Sequence, residues 1–282
     1  MNWTAATLSR AISCHAQTEG RRHGVLAVTT LDGEVFTLRS GDPQRVELYD
    51  AATFTFQRHV VIPGLGYSWG LAACAHHTCL YVSDIFGYQG DGDHSSVHRV
   101  ELYGKNAVKK WPVGSSPRGL SVNKDHNVVV ACLGANKIQE YTTDGTLVRE
   151  ISLQAGVSSP WHAVQLSTGD HVVSECRSPG MVSVVGVDGQ LVRSYYCSSQ
   201  KSMKRPTSVA VTRDDVVVVA DSDNNRLFSI NVSLGCVQEL VLSDDAGIQE
   251  PLGLCLDESR GRLYVGEGSG MRQVLVFDNV KL

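Results

Sequence analysis

Four acidic residues that could bind a cation recur along the chain, each at the end of an apolar run. They are Asp84, Glu175, Asp221 and Glu267, and Leu38 and Cys132 stand at the matching positions of two further runs. A base follows three of the acids: Arg99 comes after Asp84, Arg226 after Asp221 and Arg272 after Glu267. An acid and a base at the two ends of a turn can hydrogen-bond across it. We therefore predict three structural pairs, Asp84–Arg99, Asp221–Arg226 and Glu267–Arg272, rather than a ring of carboxylates around a cation.

Histidines and nucleophiles give little support for catalysis. A catalytic zinc needs three protein ligands that converge on one point, whereas only His23 and His162 stand near the start of a repeated segment. No serine or cysteine is matched by the pattern with both a histidine and an acid. The loop over residues 85–98 contains Asp91, Asp93 and His94, which could hold a cation, but no ligand series follows them. We expect no catalytic residue, metal or cofactor, and whether this loop binds a cation stays open.

The acids recur because the chain consists of repeats. The clearest copies open at Pro117, Pro160, Pro206 and Pro251. Two weaker copies open at Arg22 and Ser68, so that the starts lie 43 to 49 residues apart. Each copy has an apolar segment, a polar turn and a valine-rich segment, and repeats of about 40 to 50 residues with four such segments are typical of β-propeller blades. We predict one all-β domain over residues 1–282, a six-bladed propeller of four-stranded antiparallel blades.

The two ends of the chain can complete the last blade. The copy that opens at Pro251 has only 32 residues, enough for three strands, and residues 1–21 have no blade of their own. An unclosed ring would leave a strand edge exposed. We therefore predict that part of the segment Thr4 to Cys14 forms the outer strand of the last blade, with the rest of 1–21 as a linker. A short helix or a disordered start is the alternative.

Composition limits the class of partner and the compartment. The formal net charge is −4 and the isoelectric point is near 6.2, which excludes a generally basic nucleic-acid clamp and DNA as a partner but permits a local basic patch. No apolar run is long enough to cross a bilayer. The eight cysteines lack paired zinc spacing, and several lie in apolar runs, so we expect buried free thiols in a reducing compartment. We predict a monomeric cytoplasmic protein.

Three short motifs recur in the copies: P-x-G-[LV]-x-[VL], then V-V-V-A-D, then N-x-[RK]-[IVL]. They resemble the NHL repeat, and the resemblance extends from Arg22 to Val280. It implies a six-bladed propeller in which the innermost strand opens each repeat. The best-known animal members are the tripartite-motif (TRIM) NHL proteins, whose propeller binds RNA or protein partners. This chain has no RING, B-box or coiled-coil segment, so the resemblance implies no ubiquitin-ligase activity for it.

The two ends of such a ring differ in composition. The turns after first and third strands are mostly acidic tight turns, and we name this end the turn face. The loops after second and fourth strands, which we name the loop face, carry bases and aromatics. The predicted binding residues there are Arg22, Tyr67, Trp69, Lys109, Lys110, Trp111, Arg118, Trp161, His162, Arg177, Lys201, Lys204 and Arg205.

Such a mixture suits either of two macromolecules. Bases interleaved with aromatics can contact phosphate and stack bases of single-stranded RNA. Tryptophan and arginine are also the usual hot-spot residues of protein interfaces, whereas Trp69 and Trp161 could instead only plug the channel. We predict a non-catalytic module that docks a protein or single-stranded RNA on the loop face. The alternative is a metal-dependent propeller enzyme similar to the amidating lyases or the lactonases.

Overall fold

The computed structural model describes residues 7–12, 24–41, 43–85, 94–103, 107–196, 202–240 and 247–280. Within these ranges the chain forms strands and turns, and its one helical element is the short 3-10 turn Ser222–Asn224. None of these residues belongs to a helix with the length and hydropathy needed to cross a membrane. The prediction of an all-β chain is confirmed.

The strands form six four-stranded antiparallel sheets, which are the blades. Blade 1 contains β2 (Val25–Leu31), β3 (Glu34–Arg39), β4 (Arg45–Asp50) and β5 (Phe56–Val60), and blade 2 contains β6 (Leu71–Cys74), β7 (Cys79–Asp84), β8 (Ser96–Glu101) and β9 (Val108–Pro112). Blade 3 contains β10 (Pro117–Val122), β11 (Val128–Cys132), β12 (Lys137–Tyr141) and β13 (Leu147–Ser152), and blade 4 contains β14 (Pro160–Gln165), β15 (His171–Glu175), β16 (Met181–Val185) and β17 (Leu191–Tyr195). Blade 5 contains β18 (Pro206–Val211), β19 (Val216–Asp221), β20 (Arg226–Asn231) and β21 (Cys236–Glu239), and blade 6 contains β22 (Pro251–Asp257), β23 (Arg262–Glu267), β24 (Val274–Asp278) and β1 (Thr7–Ile12).

The first strands of the blades form the inner wall of the ring. Each of β2, β6, β10, β14, β18 and β22 contacts the equivalent strand of the next blade, and β22 contacts β2. The ring is therefore closed, and the predicted six-bladed propeller is confirmed.

The valine-rich second strands are buried between neighbouring blades. In β19, Val217 and Val219 pack with residues of blade 4, whereas Val218 and Ala220 pack with residues of blade 6. Successive side chains of a strand point to opposite faces, so a strand buried on both faces has apolar residues at every position. Burial of one such valine stabilises the fold by about 1.5 to 3 kcal/mol. This explains why β19 reads as an uninterrupted apolar run.

The pairing register of the first blade differs from the alignment of the sequence copies. Val25 pairs with Arg39, as Pro117 pairs with Cys132 and Pro206 with Asp221. The structural start of the first repeat is therefore Val25, three residues beyond Arg22, and the residue in the acid position is Arg39 rather than Leu38.

The N-terminal strand closes the last blade, as predicted. β1 pairs antiparallel with β24, with Thr7 opposite Asp278 and Ile12 opposite Val274. Ile12 is only 2% exposed and packs in a cluster with Val25 of blade 1. The strand therefore covers the edge of β24 and joins the apolar seam between blades 6 and 1.

We expect the substitution Ile12→Ala to lower the free energy of unfolding by about 2 to 4 kcal/mol, because it leaves a cavity at the closing seam. The measurement is urea unfolding followed by tryptophan fluorescence. Ala11→Ser on the exposed face of the same strand is the control and should change stability by less than about 0.5 kcal/mol. Equal effects of the two substitutions would mean that β1 adds nothing to the seam.

Candidate functional site

Two tryptophans and an arginine meet where the inner strands begin, at the mouth of the channel on the loop face. Trp69 precedes β6, and Arg118 and Trp161 are the second residues of β10 and β14. The Arg118 guanidinium carbon lies 5.2 Å from the centre of the Trp69 ring and 4.8 Å from that of Trp161. The two indole rings contact each other edge to face, with centroids 5.2 Å apart. We name these three residues the mouth cluster.

The mouth cluster lines one end of the channel and is partly exposed to solvent. The ring quadrupole of an indole attracts a cation by roughly 0.5 to 2 kcal/mol, depending on how far water is excluded. Arg118 satisfies this attraction for two rings at once and holds both in place. All three side chains remain partly exposed. The cluster is thus a pre-ordered aromatic and cationic surface at the mouth of the channel.

His162 lies inside the channel rather than on the loop face. Its Nε2 donates to the Leu120 carbonyl oxygen at 3.0 Å, and its Nδ1 accepts from the Val209 backbone N–H at 3.2 Å. The imidazole therefore links blade 3 to blade 5 across its own blade. Burial is the main cause that lowers the pKa of His162 to about 4, so the ring is neutral at physiological pH. Both ring nitrogens of His162 are thus engaged within the wall, and its contact with a partner stays a prediction.

The channel leaves little room for a substrate. The cavity lined by the inner strands has a volume of about 30 Å³, comparable to the space of one water molecule. A Cβ on Gly119 would lie 2.4 Å from the His162 ring, which indicates how tightly the strands pack there. In the described part of the chain, no three His, Cys, Asp or Glu side chains are placed to hold a metal ion together. Asp91 and Asp93 of the loop 85–98 lie outside the described residues.

The recurring acids hold the segments that lead into the inner strands. Asp84 accepts from Gly66 N–H at 3.0 Å, and Glu267 accepts from Gln249 N–H at 2.9 Å. Asp221 accepts two backbone N–H groups, at 3.0 and 2.9 Å, from residues 204 and 205. Glu175 accepts from Ser158 N–H at 2.9 Å. These bonds fix the loop face and give the four acids a structural role.

Among the described residues, only one of the three predicted acid–base pairs is present. Arg226 Nε lies 3.7 Å from an oxygen of Asp221. Asp84 instead binds His98 at 2.9 Å and Lys110 at 3.5 Å, and Arg99 binds Glu101 at 2.9 Å.

The alternation of side chains along β8 explains why Asp84 and Arg99 do not pair. Asp84 is opposite Ser96, and His98, two residues on, shares its face. Arg99 directly follows His98 in the strand, so its side chain points to the other face of the sheet.

The predicted pair of Glu267 and Arg272 is also absent from the described residues. Glu267 is the last residue of β23, whereas Arg272 lies in the turn before β24 with a φ of 53°. The Arg272 carbonyl oxygen accepts from Arg39 of blade 1 at 2.8 Å. Burial raises the pKa of the Glu267 carboxyl, and hydrogen bonds from Gln249 and Gln273 offset that effect only in part. The turn that precedes β24 therefore contacts blade 1 through Arg39, and its arginine does not pair with Glu267.

Blade 1 contains a buried ion pair that sequence reasoning missed. Arg39 Nε binds Glu47 at 2.8 Å, and both side chains are fully buried. Tyr49 donates to the same carboxylate at 2.7 Å. Burial alone would raise the pKa of Glu47, but Arg39 and the hydrogen bonds from Tyr49 and Arg45 hold it below the usual value. The base here is on the second strand and the acid on the third, the reverse of blade 5.

Three predicted binding residues belong to the outer rim of blade 2 rather than to the loop face. Lys109, Lys110 and Trp111 lie in β9, the outermost strand, and their placement on the loop face is wrong. Trp111 is only 6% exposed and packs against the rings of Tyr81 and Tyr141, each with a centroid separation of 6.2 Å. It serves the seam between blades 2 and 3.

The remaining predicted residues that the structure describes do lie on the loop face. Tyr67 is 68% exposed and lies two residues before Trp69 of the mouth cluster. Arg177 binds Glu175 at 3.2 Å, and Arg205 binds Asp223 at 2.9 Å and Glu250 at 2.8 Å. Lys204 is exposed and forms no ion pair within the described ranges. Arg22 and Lys201 fall outside the described residues.

Comparison with known proteins supports the fold. The sequence model of the NHL repeat matches residues 203–228, which span parts of blade 5. No curated protein sequence gives a significant match. A structure of a catalytically inactive virginiamycin B lyase from Staphylococcus aureus with quinupristin has a TM-score of 0.64 at 12% identity and covers 96% of this chain and 88% of its own.

Two further solved structures show the same architecture. A protein of unknown function from Bacteroides thetaiotaomicron VPI-5482 has a TM-score of 0.70 at 14% identity, covering 95% of this chain and 75% of its own. The WD40 propeller domain of Doa1 has a TM-score of 0.63 at 14% identity, covering 99% and 98%. At such low identity these similarities establish the propeller fold alone.

We expect His162→Gln to reduce the pH dependence of stability. The folded state keeps His162 neutral down to a pKa of about 4, whereas the unfolded chain protonates near pH 6.5, so stability is lost as pH falls from 6.5 towards 4. Between pH 7 and 4.5 the loss should be about 2 kcal/mol from this residue. His171, whose pKa is also lowered to about 4, contributes separately.

The measurement is urea unfolding at both pH values. The His162→Gln variant should be less stable at pH 7 but should lose less on acidification than the native protein. His59→Gln on the exposed strand β5 is the matched control. A variant with the native pH dependence would show that His162 is not held neutral by the channel.

Proposed function

We propose that this propeller is a non-catalytic interaction module that docks a protein partner on its loop face. The observation that carries the proposal is the mouth cluster, in which the Arg118 guanidinium lies 5.2 and 4.8 Å from two partly exposed indole rings. Aromatic and arginine side chains that are held rigidly lose little conformational entropy on binding and dominate interface energies. The cluster and exposed Tyr67 form the centre of the docking surface.

The charge distribution of the loop face favours a protein over RNA. Arg177 and Arg205 each have a carboxylate within 3.2 Å. RNA affinity depends on cations that neutralise phosphates and release counterions. Cations already paired with carboxylates contribute little to that term, and the whole chain carries a net charge of −4. Lys204 adds one exposed cation without an ion pair among the described residues of this face, so the described surface is more aromatic than basic.

The geometry of the channel also supports a non-catalytic function. The similarity to virginiamycin B lyase concerns the fold, at 12% identity. A metal-dependent enzyme requires ligands that converge in an accessible cavity. Here His162 uses both ring nitrogens within the wall, and the cavity beside it is about 30 Å³. The metal-dependent alternative has no such support among the described residues.

We expect the double substitution Trp69→Ala and Trp161→Ala to weaken partner binding at least tenfold, because it removes the aromatic centre of the surface. The partner is first recovered by cross-linking the native protein in cell extract. Its affinity for the native protein and for each variant is then measured by titration. Lys109→Glu on the outer rim is the control and should bind as the native protein does. A folded double variant with native affinity would exclude the mouth cluster as the docking site.

We expect a randomised single-stranded RNA pool to yield no enriched motif at physiological salt. Any binding at low salt should fall steeply as salt rises, since it would be electrostatic. The metal content of the same sample is measured in parallel. An RNA motif that is still enriched at physiological salt would show that the partner is RNA and not a protein. A stoichiometric metal would favour the metal-dependent enzyme.

A further inference from the structure

Two cysteines face each other at the end of the hairpin formed by β6 and β7. Cys74 is the last residue of β6, Cys79 is the first residue of β7, and the two are direct partners in the pairing register. The register is regular along this pair of strands. Both side chains are buried in the seam between blades 2 and 3, at 2% and 0% exposure. From the sequence we expected only buried free thiols.

The backbone already provides the separation that a disulfide needs. Residues directly opposite in an antiparallel pair have Cα atoms about 4.5 to 5.5 Å apart, and their side chains share one face of the sheet. A disulfide requires a Cα separation of about 4.4 to 6.8 Å. A bond between Cys74 and Cys79 thus needs rotation of side chains and no rearrangement of the strands. The packing of both residues in the same apolar cluster agrees with this shared face.

The surroundings of the hairpin provide a cation and a base. Burial raises the pKa of the Cys79 thiol, while Tyr81 and the nearby Arg99 guanidinium act to lower it. Tyr81 and Arg99 thus offset part of the effect of burial on the Cys79 thiol. Burial, His76 and Arg99 lower the pKa of His77, which lies in the turn between the two cysteines, so that its imidazole is a neutral proton acceptor at physiological pH.

Access to the thiols requires opening of the hairpin tip. The tip, residues 75–78, is exposed or partly exposed, and His76 stacks on His126 of blade 3 with ring centroids 4.1 Å apart. His77 also contacts the His126 ring, with centroids 6.1 Å apart, so side-chain rings connect the tip to the next blade. We expect local opening of the tip and of the adjoining strand ends to make the two thiols reachable while the rest of the blade stays folded.

We propose that Cys74 and Cys79 form a redox-active dithiol that a low-molecular-weight disulfide such as glutathione disulfide converts to an intramolecular disulfide. A thiolate of the pair attacks the S–S bond of the reagent, which forms a mixed disulfide and releases one small thiol. The second thiolate attacks that mixed disulfide, forms the Cys74–Cys79 bond and releases the second small thiol. The protein loses two protons and two electrons, and the reagent is reduced to two thiols.

The other described cysteines lack this arrangement. Cys132 lies in the same apolar cluster, but its register partners are Pro117 and Lys137. Cys255 is opposite Tyr264. Cys236 is exposed and opposite Asn231. A cysteine directly opposite on the paired strand therefore distinguishes Cys74 and Cys79 from Cys132, Cys236 and Cys255.

The test is oxidation of the folded protein in a Cys236→Ser background, which prevents cross-links through the exposed thiol. The protein is equilibrated with mixtures of oxidised and reduced glutathione, free thiols are alkylated, and peptides are mapped by mass spectrometry. We expect a Cys74–Cys79 cross-link with loss of alkylation at both sites, and its complete reversal by dithiothreitol. Further substitution of Cys79 by Ser should leave glutathione attached to Cys74, whereas Cys132→Ser should leave the cross-link unchanged.

Two results would overturn the proposal. One is retention of both free thiols in the folded protein at every ratio that fully modifies Cys236 in the native chain. The other is a Cys74–Cys79 bond that appears only at urea concentrations that unfold the propeller. Unfolding is monitored by circular dichroism.

Discussion

Burial of both faces of every blade is the interaction on which this structure depends. A four-stranded sheet has two apolar faces, and each can be buried only by another blade. A ring satisfies this requirement only if it closes, and closure here is made by β1 pairing with β24. The two ends of the described chain therefore meet in blade 6, whose stability depends on residues from opposite ends of the sequence, such as Thr7 and Asp278.

The loop face is ordered by a second constraint, which is hydrogen bonding rather than apolar burial. A segment that enters an inner strand has backbone N–H groups that would otherwise be buried without partners. The carboxylates of Asp84, Glu175, Asp221 and Glu267 accept those groups. In blade 3 the corresponding acceptor is Gln139 Oε1, which binds Gly114 N–H at 2.7 Å. The mouth cluster stands on segments fixed in this way, and its geometry follows from those bonds.

The sequence predicted the fold well because repeat spacing and valine runs report directly on blades. It also located Trp69, Arg118 and Trp161 at the start of the inner strands, since each is the second residue of an aligned repeat. It could not show the Arg39–Glu47 pair, in which the order of base and acid is reversed in the weakest copy. The partner of Asp84 depends on which residues of β8 share its face of the sheet. The sequence does not show this, because the long loop before β8 leaves the pairing register of that strand open. Lys109 to Trp111 were misplaced because an outermost strand with one solvent-exposed face carries little apolar pattern.

The mouth cluster also removes the rotational symmetry that six similar blades would otherwise give. Its bulky side chains come from three consecutive blades, whereas the corresponding positions of blades 5 and 6 are Thr207 and Leu252. The rim therefore carries large aromatic and cationic side chains over blades 2 to 4 and smaller side chains over blades 5 and 6. A partner that contacts the indoles has one orientation about the ring axis instead of six equivalent ones. The arrangement of the rim would therefore fix the angular orientation of a partner bound to the indoles, although the scaffold beneath it is nearly periodic.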